Sequence, residues 1–200
     1  MKNVMIVTSA AVLAATAAAS SAYAQDLTAK EQLGKSIFFD NNLSFNLNQS
    51  CASCHDPAWG WTGPDSAING AGSVYEGSIA GQFGDRKPPS SAYATPSPIL
   101  HYTLEKANNK NKTEALFIGG NFWDGRATGW LLGNPAADQA QGPFLNLKEQ
   151  ALPDNACVVY RVSESDYASL YEEVFGGNIF TIDFPPDTDS LCADGEPVPL

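Results

Sequence analysis

Residues 49–57 read Gln49-Ser50-Cys51-Ala52-Ser53-Cys54-His55-Asp56-Pro57, and the meaning of this short string decides what the chain is folded around. A Cys-x-x-Cys pair followed at once by histidine is compatible with half of a zinc site, with a redox dithiol, or with the attachment point of a c-type haem. A zinc site needs a second pair of ligands at matching spacing. Cys157 and Cys192 are far apart in sequence and His101 stands alone, so no such pair is present. A thioredoxin-like dithiol needs a βαβ setting, which the flanking residues lack. The haem reading needs nothing further: the two thiols add to the vinyl groups and His55 is placed beneath the iron.

Working outward, the N-terminus agrees with this. Met1-Lys2-Asn3 precedes an apolar small-residue run, Val4 to Ala19, and then Ala22-Tyr23-Ala24, the pattern of a secretory signal peptide cleaved after Ala24. The run is short and alanine-rich for a bilayer span, which takes about 20 strongly apolar residues. The expectation is a signal peptide over residues 1–24, a periplasmic protein and no membrane span after processing. In an oxidising compartment four cysteines need partners. With Cys51 and Cys54 taken by haem, Cys157 and Cys192 are left as a disulfide, worth about 3 to 4 kcal/mol on the chain-entropy model. Of 11 basic side chains one, Lys2, lies in the leader, against 22 acidic ones. Such a balance argues against nucleic acid and anionic membranes and suits basic partners.

Thr28-Ala29-Lys30-Glu31 is a capping-box pattern ahead of Leu33 and Ile37, which predicts a helix over 29–38. From Pro57 to Pro98 the chain carries 7 Gly and 6 Pro, a density that predicts no regular element. A large flat cofactor would give such irregular chain a core to wrap. Asn134-Pro135 predicts the N-cap and first position of a short helix stopped by Gly142-Pro143, and Asn146 caps a further turn carrying Glu149. Tyr167, Leu170, Tyr171 and Val174 predict a helix over 164–175 capped by Ser163. Residues 181–200 read as a tail held by Cys192. With no convincing β-hairpin, the expected class is all-α, with long irregular loops.

The distal side of a haem decides its use. Electron carriers keep two strong axial ligands, often His and Met, whereas reactive haems leave one face open beside acid/base groups. Beyond Met5 the chain has no methionine, and its second histidine is His101. Either His101 is the distal ligand or the iron has an open site.

Several strings together resemble the bacterial di-haem cytochrome c peroxidase and MauG-like family. They are Leu33-Gly34-Lys35-Ser36-Ile37-Phe38-Phe39-Asp40, Leu43-Ser44, Ser50 to Pro57, Arg86-Lys87-Pro88-Pro89-Ser90, Phe122-Trp123-Asp124-Gly125-Arg126-Ala127 and Gln139 to Asn146. The resemblance implies a cytochrome c-like peroxidatic haem domain over residues 25–200, with one haem c attached at Cys51 and Cys54. It implies that Gln139, Pro143 and Glu149 line the distal pocket, with Glu149 moving a proton between the oxygens of peroxide. It also implies that Trp123 relays electrons; Arg126 pairs with a haem propionate or, structurally, with Asp124.

Three departures shape the expectation. Residues 56–86 lack the displaceable histidine of peroxidases that need reductive activation, so the site is expected to be open unless His101 reaches the iron. Lys87 replaces an asparagine that helps bind calcium in the family, which counts against calcium. No second Cys-x-x-Cys-His follows, so the family's second haem domain lies elsewhere in a longer chain or on another polypeptide, unless the protein works with one haem. The expected activity is hydrogen peroxide reduction with electrons from a small redox protein such as a cytochrome c or cupredoxin. Its rivals are MauG-like oxidation of a partner protein and a mono-haem electron carrier ligated by His55 and His101.

Overall fold

The computed structural model describes residues 26–106 and 113–200; the expected signal peptide lies outside them. Helix α1 (Ala29–Phe39) opens with the capping box anticipated above: Thr28 Oγ accepts from the Glu31 amide at 3.3 Å and Glu31 Oε2 accepts from the Thr28 amide at 2.9 Å. Asp40 ends α1 and starts a 3-10 turn by accepting from the Asn42 amide. That turn delivers Leu43 into a core with Val162 and Ile179, packed by Ile37, Phe144, Val159, Tyr167 and Tyr171. The Tyr167 hydroxyl donates to Asp40, tying this core back to the end of α1.

Single-turn helix α2 (Cys51–Cys54) follows, then a long excursion whose regular elements among the described residues are α3 (Ser66–Gly70), two short 3-10 turns (Pro57–Trp59 and Ser91–Tyr93) and an antiparallel strand pair, β1 (His101–Lys106) and β2 (Thr113–Ile118). The strands pair antiparallel, His101 opposite Ile118 and Tyr102 opposite Phe117. The hairpin's neck is tight. The Gly120 amide donates to the Pro98 carbonyl at 2.9 Å, and a Cβ on Gly119 (φ +90°) would fall 2.1 Å from that same oxygen. Helices α4 (Pro135–Ala140) and α5 (Gly142–Leu145) then lead to the turn bearing Glu149. Asn134 caps α4 through its side chain, which accepts from the Ala136 amide at 2.8 Å.

The C-terminal part is α6 (Asn155–Ser163), α7 (Ala168–Phe175) and α8 (Thr188–Asp194). A disulfide joins Cys157 in α6 to Cys192 in α8, inside a second core formed with Leu152 and Val198. Asp154 caps α6 at the Cys157 amide and accepts from the Val198 amide with its other oxygen.

The structure changes four expectations. The class is mostly helical, as expected, but with an added two-stranded antiparallel sheet from residues 101–106 and 113–118, where no strand pair was anticipated. Its strands carry Tyr102, Thr103, Phe117 and Ile118, good strand formers, but the segment joining them lacks the Asn-Gly or Asp-Gly signal that marks a tight turn. Asp65 nucleates α3 inside the Gly/Pro-rich stretch by accepting from the Ala67 and Ile68 amides. The helix expected over 164–175 with Ser163 as its cap begins only at Ala168, with Tyr167 at the N-cap and residues 164–167 in a turn. Ser163 ends α6, its hydroxyl turned back onto the Tyr160 carbonyl, and Ser165 caps Val162 in the same manner. Such short hydroxyls compete with the helical ladder and break it. Finally, the tail contains α8, whose buried Cys192 and Thr188 anchor it.

Candidate functional site

Ser50 opens α2: its amide donates to Ser53 Oγ at 3.0 Å, and the His55 amide closes the turn on the Cys51 carbonyl at 2.9 Å. One helical turn places both thiols and the imidazole on a single short platform. Among the described residues Cys51 and Cys54 are the free cysteines. Burial pushes each thiol up to about 11, and the Glu149 carboxylate adds to the effect on both. Glu149 therefore lies within electrostatic reach of the attachment pair, although it is 95 positions beyond Cys54 in sequence.

His55 Nδ1 lies 2.9 Å from the Pro89 carbonyl and 3.2 Å from that of Trp61. Carbonyl oxygens only accept, so Nδ1 carries the proton and Nε2 is the free lone pair. This is how a metal-binding imidazole is oriented. Pro89 comes from the Arg86-Lys87-Pro88-Pro89 string, whose Pro88 carbonyl is fixed by the Thr62 hydroxyl. Trp61 holds its carbonyl in place with a positive φ of 63°, and its ring packs edge-on against Phe38 of α1.

Glu149 sits at the end of the Asn146 turn, where Asn146 Nδ2 donates to Glu149 Oε1 at 2.9 Å. Burial raises its carboxyl above the ordinary value of 4.5; the Asn146 hydrogen bond and the Arg126 charge oppose this without cancelling it. Gln139 and Pro143, on α4 and α5, are half-buried. Arg126 forks onto Asp124, with Nη1 at 3.1 and 2.9 Å from the two oxygens, and stacks on Phe122 at 3.7 Å. Trp123 is 72% exposed and carries the Arg86 guanidinium 4.7 Å above its ring. His101 opens β1 with its ring held by the Ile99 carbonyl at 2.9 Å, and its side chain is exposed.

These residues fit a covalently held haem: two free thiols one turn apart, an adjacent imidazole with Nε2 unengaged, and a carboxyl of raised pKa near them. No group of three or more His, Cys, Asp or Glu side chains able to hold a separate metal ion occurs among the described residues. Sequence reasoning missed the Trp61 and Pro89 carbonyls and the segment that backs Glu149, described below. Backbone acceptors leave no mark in side-chain patterns, although the Arg86–Pro89 string was a pointer to one of them.

Platform and imidazole together have the arrangement that attachment of a c-type haem would require. The family model described as di-haem cytochrome c peroxidase matches residues 28–191, and the chain belongs to that family. It is 38% identical over 148 residues to methylamine utilization protein MauG of Paracoccus denitrificans, covering 74% of this chain and 34% of that one. It is 63% identical over 143 residues to cytochrome-c peroxidase IdrP2 of a Pseudomonas species, covering 71% and 30%. Among solved structures, the diheme peroxidase BthA from Burkholderia thailandensis superposes with a TM-score of 0.59 at 27% identity, covering 82% of this chain and 35% of that one. The chain thus spans about a third of the length of these relatives.

Proposed function

We propose that the chain is the peroxidatic haem domain, residues 25–200, of a periplasmic peroxidase that reduces hydrogen peroxide with electrons from a small redox protein, a cytochrome c or a cupredoxin. The observation that carries this reading is the raised carboxyl of Glu149 beside the Cys51–Cys54 platform. When bound, haem c supplies the iron at which peroxide is reduced; two electrons and two protons turn one peroxide into two waters. His55 offers Nε2 from a ring its two carbonyl partners prevent from turning. Glu149 accepts the proton of the inner peroxide oxygen and returns it to the outer one, making that oxygen leave as water. Gln139 orients the bound peroxide and Pro143 keeps the pocket wall apolar.

Trp123 passes electrons inward one at a time, and its exposed ring meets the source of those electrons, a second haem domain in the same or another polypeptide. Arg126, held by Asp124, keeps a positive charge near the acid. Replacing Glu149 by glutamine is expected to slow peroxide reduction by about 10²-fold or more with haem content intact. A rate unchanged by Glu149→Gln would return that residue to a capping role.

A second reading, oxidation of a partner protein, is favoured by the likeness to MauG and by the exposure of Trp123. The electron source separates the two. Rapid re-reduction by a small redox protein after peroxide treatment supports the peroxidase; an oxidised state that persists beside such a donor supports the rival.

A further inference from the structure

The segment Glu76-Gly77-Ser78 packs its backbone directly against the backbone carrying Glu149. The Ser78 amide donates to the Glu149 carbonyl at 2.7 Å. Gly77 fits there because it has no side chain: a Cβ would fall 2.5 Å from the Lys148 carbonyl oxygen and 2.9 Å from the Glu149 nitrogen. Both contacts are to backbone, which cannot swing aside as a flexible side chain would.

Ser78 is 2% exposed and all its polar atoms are engaged. Its Oγ accepts from the Asn46 amide at 2.9 Å and donates to Asn48 Oδ1 at 2.7 Å. Its carbonyl accepts from Asn46 Nδ2 at 2.8 Å and Asn48 Nδ2 at 3.1 Å. Asn46 and Asn48 lie on the strand of chain that runs straight into α2. The next residue, Gln49, donates through Nε2 to the Glu76 carbonyl at 2.9 Å. The same side-chain nitrogen lies 3.9 Å from Cys54 Sγ. Residues 76–78 are therefore bonded on one side to the lead-in of the haem-attachment helix and on the other to the peptide bearing the acid. The loop is closed on itself as well, by the Gly77 amide on the Gln82 carbonyl at 2.7 Å and the Gly84 amide on the Tyr75 carbonyl at 2.9 Å.

We propose that Gly77 and Ser78 are positioning residues that set the height of Glu149 above the Cys51–Cys54 platform. The inference rests on the reading of Glu149 as the proton-transferring acid. The physical reason for such a device is that Glu149 and α2 share no hydrogen bond of their own among the described residues, while misplacing a reacting group by about 1 Å can cost about 10²-fold in rate. A small buried segment bonded to both fixes their separation without placing a side chain where peroxide must bind.

The test is a mutant cycle in the haem-loaded protein, using Gly77→Ala, Ser78→Ala, Glu149→Gln and the two doubles with Glu149→Gln. Gly77→Ala is expected to lower kcat for peroxide reduction about 10- to 100-fold, to leave KM for the electron donor unchanged, and to move the pH at which the Glu149 carboxyl titrates. That pH is read independently of turnover from the infrared carboxyl band that Glu149→Gln removes. Ser78→Ala, which keeps the amide on Glu149, should shift both quantities in the same direction by less. In the Glu149→Gln background neither substitution should lower the rate further. Full additivity in that background, or an unmoved infrared titration, overturns the proposal. Glu149→Gln at the native rate instead overturns the role of the acid, an outcome separate from a failure of the brace. Should Gly77→Ala fail to take up haem, Ser78→Ala alone decides by the same two readouts.

Discussion

The disulfide-bearing C-terminal part and the stretch from α2 to the end of the Trp123 loop are held together in opposite ways. The first closes on itself: Leu152, Cys157, Cys192 and Val198 are buried against one another, and Asp154 ties the two ends of the segment. The second has almost no apolar core and leaves its large side chains outside, with Tyr93 81%, Phe117 75%, Trp123 72% and Trp130 71% exposed. These exposed aromatics leave the second stretch with little buried apolar area of its own. In a small domain such a shortage calls for a supplement: the first region has a covalent cross-link, and in the proposed reading the second has a cofactor.

The largest effect that tests this contrast comes from removing the attachment thiols. Replacing Cys51 and Cys54 by alanine is expected to abolish covalent haem, read by mass, together with all peroxide reduction. Hydrogen exchange should then show amides of residues 51–132 losing protection while those of α6 and α8 keep it. Equal loss in both regions would mean that the C-terminal part is not independent of the cofactor.

Next in size is the pH dependence of peroxide reduction. In the proposed role Glu149 has to be ionised to accept the peroxide proton, and burial raises its carboxyl above 4.5. The rate should accordingly fall as the pH drops through a value higher than that of an ordinary glutamate, and Glu149→Gln should erase this limb. A limb that survives the substitution belongs to another group.

Opening the disulfide acts on the other region. Cys157→Ser with Cys192→Ser removes a cross-link spanning 35 residues, which should cost about 3 to 4 kcal/mol in urea unfolding while haem attachment proceeds. The smallest effect is expected from His101→Ala. With its ring held by the Ile99 carbonyl on the hairpin, His101 should be replaceable without change in the optical or EPR spectrum of the oxidised protein. Conversion from low-spin to high-spin iron on substitution would instead identify it as the distal ligand and support an electron carrier.

What the sequence made legible was local. Thr28 with Glu31, Asn134 with Pro135, and Cys51-x-x-Cys54-His55 each act within one or two turns of helix, and each structure appears at those residues. The parts that escaped depend on distant chain. α6 starts at Asp154, whose second oxygen is used by Val198, 44 residues away. The hairpin hangs from a neck set by Gly119 and Pro98. The seating of Glu149 depends on Ser78, and the orientation of His55 on the carbonyls of Trp61 and Pro89, contacts that leave no trace in periodicity or spacing. For the site, candidate side chains could be named from sequence, but the backbone that holds them could not.

The disulfide also sets a demand on how the protein is made. With haem attached as proposed, one polypeptide has to carry Cys157 and Cys192 to the oxidised state while Cys51 and Cys54 stay as thiols long enough to receive porphyrin, since a bridge between that neighbouring pair would block vinyl addition. Maturation is therefore a sorting problem among four sulfurs, and the order in which the ends of the chain and its haem-binding turn are finished decides whether a usable molecule results.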